Sequence, residues 1–138
     1  MIEEPKKYQT KSTQQIANMA IVNFQKYIRI RDAHGGGNCI SCGKHIDWNN
    51  DCDAGHYISR RFKATLFDES NCHAQCKHCN QWLNGNIIEY RKNLINKIGE
   101  DSVNELEENY TSLMQRKRVD FITLNELYLK KCRGIRNE

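Results

Sequence analysis

The sequence has 138 residues, of which 38% are hydrophobic and 28% are charged, and it carries a formal net charge of +4. No apolar run approaches the ~18 residues of a membrane span, and the N-terminus lacks the apolar segment of a signal peptide. This composition argues against the membrane, secreted, collagen-like and disordered classes, and favours one small domain. Because the apolar content is low for a chain of this length, an additional stabilising cross-link is expected.

The first predicted element is a long helix over 12–31, which opens with a capping box of Ser12 and Gln15. A run of three glycines ends this helix. The part of the chain that follows is rich in cysteines and predicts short strands and tight turns. We expect a strand over 53–59 and its partner over 71–75.

The rest of the chain is predicted to be helical. A short helix over 77–83 precedes a helix over 87–98, whose broad apolar face is closed by a glycine. Two more helices are expected after it, the last of which ends near Gly134. Their starts are predicted from two further capping boxes, Ser102 with Glu105 and Thr123 with Glu126.

These elements predict an α+β protein with a small core flanked by helices at both ends. We expect an N-terminal helical segment over 1–34, a metal-stapled core with its following helix over 35–99, and a C-terminal helical extension over 100–138.

Two cysteine pairs have the spacing of a zinc knuckle, Cys39 with Cys42 and Cys76 with Cys79. Such a loop lets two thiolates reach one ion at about 2.3 Å, and two loops complete a tetrahedron. A redox role explains one such pair but not two. The odd cysteine count argues against a disulfide framework and favours a reducing compartment. The sequence therefore predicts a structural zinc site.

The interval between and just after these pairs contains His56, Asn71 and Asn80, in an order that resembles the HNH, or ββα-metal, nuclease motif. Phosphodiester hydrolysis needs a base and a divalent ion, and a neutral imidazole suits the base. We expect His56 to be the base and Asn71 to orient its ring. We expect Asn80 to bind Mg²⁺ or Mn²⁺, which prefer oxygen ligands. The alternatives are a structural histidine, a turn residue and a helix cap.

Two further residues are candidate ligands of the catalytic ion. His73 points to the same strand face as Asn71, and binding of metal or phosphate is one of its two open roles. Many HNH nucleases place a ligand directly before the base, but here Gly55 occupies that position. Asp53 is the nearest carboxylate. In a regular strand it would lie on the opposite face from His56, and a bulge at Gly55 would bring both onto one face.

Cationic side chains surround the predicted core. Phosphate contacts from such side chains give salt-dependent binding with little base specificity. The alternative interpretation of the same residues is a solvated surface. The candidate DNA-binding residues are Arg60, Arg61, Lys63, Lys77 and Arg91.

The ordered set of motifs from Tyr27 to the C-terminus resembles the NinG family of lambdoid phages. The cysteine and His-Asn positions are also similar to those of a phage junction resolvase with a ββα-metal core. The residues that carry the family resemblance include Cys39 to Gly43, Asp53 to Tyr57, Phe67 to Glu69, Asn71, His73, Gln75 to Cys76, and Cys79 to Gln81.

The resemblance implies a structure-specific DNA endonuclease that cuts branched recombination intermediates, such as Holliday junctions and D-loops. It implies branched double-stranded DNA and phage or host recombination proteins as partners, and action in the host cytoplasm without a membrane. A four-way junction has two symmetric cleavage sites, which suggests that the protein acts as a homodimer. Longer relatives carry a basic, cysteine-containing N-terminal segment that this chain is expected to lack.

Three other functions remain open at this point. One is a non-catalytic zinc-stapled protein that binds nucleic acid with the same knuckles and basic residues. Another is a protein-interaction adaptor in which the zinc ion is a staple. The third is a less structure-specific HNH nuclease that nicks linear duplex.

Overall fold

The computed structural model describes residues 4–136, which form two compact units. One unit combines the residues up to Tyr27 with those from Gln115 onward, and the other comprises Ile28–Met114. The three-segment division predicted from the sequence differs from this grouping, which unites the two terminal segments and assigns residues 100–114 to the core. Residues 1–3 and 137–138 of the predicted segments lie outside the described residues.

The described residues form a mixed α+β fold. The helices are α1 (Lys6–Gln9), α2 (Thr13–Ala33), α3 (Lys63–Leu66), α4 (Ile87–Ile98), α5 (Glu100–Asn109) and α6 (Arg118–Arg136). The strands are β1 (Gly37–Asn38), β2 (His45–Ile46), β3 (Asp53–His56) and β4 (Cys72–Gln75). A 3₁₀ turn over Glu69–Asn71 and a π-helix over His78–Trp82 lie on either side of β4. None of the described helices is both long enough and apolar enough to cross a bilayer.

The first unit is built from helices whose aromatic and amide side chains interlock. The ring of Tyr128 packs against Phe24 at 5.0 Å and against Tyr27 at 5.5 Å between ring centres. Asn125 is fully buried, donates to the Tyr8 hydroxyl at 2.7 Å and accepts from Asn23 at 2.7 Å. A buried amide with these partners costs little and fixes the helix register.

The three predicted capping boxes have different outcomes. The first is confirmed, because the Ser12 amide donates to Gln15 Oε1 at 2.8 Å and the Gln15 amide donates to Ser12 Oγ at 3.1 Å. The second is wrong, since α5 begins at Glu100 and Ser102 lies inside it. The third is also wrong, because Thr123 lies inside α6 and its hydroxyl donates to a carbonyl one turn earlier.

At the N-terminus of α6 a different side chain accepts a hydrogen bond from a free backbone amide. The amide of Lys117 donates to the carboxylate of Asp120 at 2.7 Å, which is one half of a capping box shifted toward the N-terminus. The helix then continues through Gly134 to Arg136, beyond its predicted end. Tertiary packing of its apolar face outweighs the small helix preference of one glycine.

The second unit contains two antiparallel two-stranded sheets, β1–β2 and β3–β4. In the β3–β4 hairpin Asp53 pairs with Gln75 and His56 pairs with Cys72, with regular one-to-one pairing between them. The bulge predicted at Gly55 is therefore absent. Helices α4 and α5 pack beside the hairpin around a cluster of buried apolar residues, which are Ile40, Tyr57, Tyr90, Leu94, Val103 and Leu106.

Candidate metal and catalytic site

The four predicted zinc ligands meet at one point. Sγ atoms of Cys39, Cys42, Cys76 and Cys79 all lie within 4.8 Å of one another. The Cys42 and Cys76 sulfurs are 3.7 Å apart, and a tetrahedral zinc ion with bonds of about 2.3 Å spaces its sulfurs by about 3.8 Å. The cluster can therefore hold a metal ion such as zinc, as the spacing of the cysteines predicted.

Local hydrogen bonds support the cysteine cluster. The Cys42 amide donates to Cys39 Sγ and the Cys79 amide to Cys76 Sγ, each at 3.5 Å, so both knuckles adopt the same loop geometry. The Asn86 side chain donates to Cys79 Sγ at 3.5 Å. Donors of this kind orient thiolate ligands and stabilise their negative charge.

A group of polar side chains lies directly beside the cluster, where the π-helix meets β3. Asp53 Oδ2 accepts from Asn80 Nδ2 and from Gln81 Nε2, both at 2.9 Å, and Asp53 Oδ1 lies 2.7 Å from Lys77 Nζ. We call Asp53, Lys77, Asn80 and Gln81 the carboxylate–amide cluster. The structure thus brings together two of the predicted ligands of the catalytic ion, Asp53 and Asn80.

The carboxylate of this cluster is ionised. Partial burial opposes its ionisation, but hydrogen bonds from Asn80, Lys77 and Gln81 outweigh burial and hold the pKa of Asp53 below its usual value. An ionised carboxylate beside a carboxamide offers oxygen donors of the type that Mg²⁺ and Mn²⁺ prefer. The donor atoms are therefore of the right chemical type for a divalent cation, and in this structure Asp53 Oδ1 is paired with Lys77 Nζ at 2.7 Å.

The predicted base, His56, lies at the other end of β3. Its Nε2 is 3.0 Å from the carbonyl oxygen of Leu66, so Nε2 carries the proton and donates it to that carbonyl. Nδ1 is then the basic nitrogen, and it lies 3.8 Å from Cys72 Sγ. Burial lowers the pKa of His56 to about 4, with a smaller contribution from the charge of Arg60, so the ring is neutral at pH 7.

Asn71 was predicted to accept a hydrogen bond from this ring, but its described bonds go to the backbone. Its Oδ1 accepts from the Ile58 amide at 2.8 Å, and its Nδ2 donates to the carbonyls of Ile58 and Thr65 at 3.1 and 3.2 Å. Thr65 precedes Leu66, whose carbonyl holds the His56 ring. Asn71 therefore fixes the loop that orients the ring, and its effect on the ring is indirect.

The regular register of the hairpin separates the two groups. Asp53 and His56 are three residues apart in a strand, so their side chains leave opposite faces and their Cα atoms are about 10 Å apart. The sequence predicted that a bulge at Gly55 would bring Asp53 and His56 onto one face of the hairpin, and the regular register shows that this prediction is wrong. The carboxylate–amide cluster and the imidazole occupy the two faces of one hairpin.

Gly55 has a packing role at the position where many HNH nucleases carry a ligand. A side chain at this position would overlap Oε1 of Gln75, which lies across the hairpin on the same face. Gln75 is fully buried and donates through Nε2 to Ser41 Oγ at 2.9 Å and to the Gly85 carbonyl at 2.6 Å. Its Oε1 is buried without a hydrogen-bond partner. The glycine is required by this close approach and not by a bulge.

His73 does not lie in a position to bind the catalytic ion. It is buried, its Nε2 donates to the Ser70 carbonyl at 2.9 Å, and its Nδ1 accepts from Lys97 Nζ at 2.9 Å. The Arg31 guanidinium also lies 3.2 Å from Nδ1, and Asp32 is 3.7 Å away. Both ring nitrogens are occupied by protein groups, so the metal or phosphate role predicted for His73 is replaced by a structural one.

The five predicted DNA-binding cations divide into two groups. Lys77 is paired with Asp53, and Arg91 forms a two-pronged ion pair with Glu107 at 2.9 and 3.0 Å. The other three are exposed on the segment that follows β3. These three residues are Arg60, Arg61 and Lys63.

Three contributors to the site were not found in the sequence. Gln81 follows Asn80 directly, which is a usable signal, since neighbours in a tight helical turn reach the same acceptor. The Leu66 carbonyl gave no sequence signal, because a backbone oxygen has no residue type. Gln75 is among the residues that carry the family resemblance, but its contacts depend on tertiary packing and its role was not predicted.

The fold and the site together define a class of protein: a small α+β protein in which a four-cysteine cluster that can hold zinc supports a polar hairpin-and-helix site. The family model described as "Bacteriophage Lambda NinG protein" matches residues 3–138, and the chain belongs to this family. No solved structure matches significantly.

Curated relatives agree with this assignment. "Protein ninG" of Escherichia phage 933W is 41% identical over 110 residues, which cover 78% of this chain and 48% of the relative. The proteins of the same name from Escherichia phage lambda and Salmonella phage P22 are each 39% identical over the same length and the same shares. The chain spans about half the length of the curated relatives it matches.

Proposed function

We propose that this protein is a divalent-metal-dependent DNA endonuclease that hydrolyses phosphodiesters in branched DNA such as Holliday junctions and D-loops. One observation carries the proposal: Asn80, which directly follows Cys79, donates through Nδ2 to Asp53 Oδ2 at 2.9 Å, at the end of the hairpin beside the cysteine cluster. The two side chains would hold Mg²⁺ or Mn²⁺ through their oxygens. When bound, the cation supplies positive charge against the pentacovalent phosphate.

His56 is the base in this proposal. A base must be unprotonated at the working pH, and burial of the ring meets this condition by keeping it neutral. The Leu66 carbonyl fixes the tautomer, so the lone pair of Nδ1 is the one that accepts the proton of a water molecule. The Cys72 thiol lies 3.8 Å from Nδ1, and a thiol is a weak hydrogen-bond donor.

The separation of the two groups constrains how DNA binds. The outer edge of β4 is covered, because its Ala74 donates to Asp32 and accepts from Ile40 at 2.9 and 3.0 Å. The two faces of the hairpin also meet at the outer edge of β3. We propose that the scissile strand crosses this edge, between Asp53 and His56.

In this proposal the exposed cations after β3 hold the DNA backbone. Arg60, Arg61 and Lys63 follow His56 within seven residues, so phosphates beside the scissile one come within their reach. Contacts of this kind predict binding that weakens steeply with salt and follows the shape of the DNA more than its sequence. A homodimer would present two such sites to the two symmetric strands of a junction.

The test is cleavage of Holliday-junction, flap and linear duplex DNA by the zinc-loaded protein, with and without Mg²⁺ or Mn²⁺. We expect metal-dependent cuts at the branch. Asp53→Asn and His56→Ala should each lower the rate by about 10²–10⁴-fold, the usual worth of a catalytic group. Asp101→Asn and His34→Ala, at exposed positions elsewhere, are the matched controls. Unchanged cutting by His56→Ala would remove the base role and leave the metal site.

A second candidate function is a non-catalytic, zinc-stapled protein that binds nucleic acid. The observation in its favour is that both ring nitrogens of His56 have partners within the protein, the Leu66 carbonyl and the Cys72 thiol. Junction binding without cleavage in any divalent ion would favour this function. Sequence-specific nicking of linear duplex would instead indicate a less structure-specific nuclease.

A further inference from the structure

An exposed apolar turn follows the π-helix. Four large apolar side chains occur within seven consecutive positions there, with exposed fractions of 78%, 46%, 40% and 75% for Trp82, Leu83, Ile87 and Ile88. Single exposed apolar residues are normal, but a group of this size is typical of a binding surface. We call these four residues the apolar turn.

The apolar turn is continuous with the carboxylate–amide cluster. Trp82 is the last residue of the π-helix that carries Asn80 and Gln81. Gln81, the residue directly before Trp82, donates to Asp53 Oδ2 at 2.9 Å. The backbone of Trp82 is therefore one residue from a side chain that binds the carboxylate of Asp53.

The backbone beneath the apolar turn is held firmly. The Gly85 amide donates to the Cys79 carbonyl at 2.8 Å, and the Gly85 carbonyl accepts from Gln75 Nε2 at 2.6 Å and from Ser41 Oγ at 3.2 Å. An aromatic side chain on a fixed backbone loses little conformational entropy when it binds. The entropic cost of binding a ligand at the exposed indole is therefore small.

The surroundings of the indole favour a nucleic-acid base as its partner. From Cys76 to Ile88 the chain has no carboxylate, and it includes the exposed amides Gln81 and Asn84; Lys77 in this range is paired with Asp53, and Glu89 follows it directly. Bases stack on aromatic rings, and amide side chains bind base edges. A patch of this kind covers roughly 300–600 Å² on one partner, whereas a standard protein interface buries about 800 Å² on each partner, so a second copy of this chain fits less well.

We infer that Trp82 stacks on a base that is unpaired or unstacked at a branch point in DNA, with Leu83 and Ile88 packing beside it. The inference rests on the proposed function, because the phosphate next to the stacked base is the one that meets Asp53 and Asn80. A continuous duplex has no such base, so the contact gives preference for branched DNA without reading sequence.

The test is equilibrium binding of zinc-loaded protein to a four-way junction and to a linear duplex of the same length, without Mg²⁺ or Mn²⁺. Stacking is worth about 1–3 kcal/mol per base, so Trp82→Ala should weaken junction binding by about 10-fold and duplex binding by less than about 2-fold. Trp82→Phe should retain most of the affinity. Leu113→Ala, at another exposed apolar position, is the control. A 2-aminopurine base at the branch should change its fluorescence with wild type and Trp82→Phe but not with Trp82→Ala.

Three results would overturn the inference. They are unchanged junction binding by Trp82→Ala, equal losses on junction and duplex, and a change from dimer to monomer in sedimentation, which would identify a protein interface. Cleavage assays separate this inference from the proposed function. If Asp53→Asn abolishes cutting while Trp82→Ala binds normally, the stacking role fails alone. If wild type never cuts but Trp82→Ala loses the junction, stacking stands without catalysis.

Discussion

Each of the two units of this protein is stabilised internally by a different kind of interaction. The first unit packs long helices through aromatic rings such as Tyr128 against Phe24, and through the buried amide of Asn125. The second unit has strands of two and four residues, which are too short to be stable alone. Three of its four clustered cysteines, Cys39, Cys76 and Cys79, are part of a buried core together with Ile46 of β2 and Ala74 of β4.

This difference shows why the candidate site lies in the second unit. Asp53 and Asn80 are in contact beside the cysteine cluster, and His56 is on the same strand as Asp53, so we expect metal binding and site geometry to be linked. The first unit contributes none of the predicted site residues. The following predictions test this contrast, in order of decreasing effect.

Loss of a metal ligand should have the largest effect. Cys76→Ser removes a thiolate from a site of the kind whose apparent zinc-binding free energy is about 10–16 kcal/mol, and we expect the second unit to unfold. Hydrogen exchange should show loss of protection in β3 and β4 with α6 still protected, and metal analysis should show loss of zinc. Cys132→Ser, a buried thiol of the first unit, is the control. Full protection of β3 without zinc would contradict the link between metal and site.

A methyl group at the hairpin should have the next largest effect. Gly55→Ala places a side chain onto Oε1 of buried Gln75, and we expect it to lower the free energy of unfolding by about 2–3 kcal/mol. Denaturant titration measures this loss. The double variant Gly55→Ala with Gln75→Ala should recover part of it, and an additive loss would show that the two side chains do not conflict.

The matching change in the first unit should be smaller. Asn125→Ala leaves the Tyr8 hydroxyl and the Asn23 amide without their buried partner, and we expect a loss of about 1–2 kcal/mol with normal zinc content. Asn18→Ala, at an exposed position of α2, is the control. If Asn125→Ala released zinc, the two units would not be independent in their stabilisation.

Measured per pH unit, the smallest effect should be a pH dependence from His56. Its pKa is about 4 in the folded protein and near ~6.5 when unfolded, so between these values the unfolded chain binds a proton that the folded chain does not. Stability should therefore fall as the pH is lowered through this range, by at most about 1.4 kcal/mol per pH unit. His56→Gln, which retains a donor for the Leu66 carbonyl, should have a shallower slope in denaturant titrations from pH 7 to 5. Equal slopes would show that the ring is not desolvated.

Features set by neighbouring residues were predicted well. The helix over Ile87–Ile98 has the predicted bounds, since its periodicity and closing glycine are local signals. The same type of signal failed at Ser102 and Thr123, because a capping pattern shows where a helix could begin and not which start the packing selects. The strands are also shorter than predicted, because packing and not the local pattern decides where a strand ends: β3 ends at His56 and β4 begins at Cys72.

Features that depend on distant residues were predicted only in part. Asp53 and Asn80, two predicted ligands that are far apart in sequence, are in contact at 2.9 Å, and their role as ligands stays a prediction. His73 is instead enclosed by Arg31 and Lys97, which are far from it in sequence. No local pattern near His73 indicates these partners.

The sequence by itself determined the cysteine knuckles and the helices α2 and α4, because each depends on spacings of a few residues. The tertiary structure alone decided that His56 and Asp53 lie on opposite faces of the hairpin, that Asn71 acts through the loop that holds the ring, and that two of the cations are paired with carboxylates. These outcomes depend on strand register and on packing between segments far apart in the chain, which local periodicity does not encode.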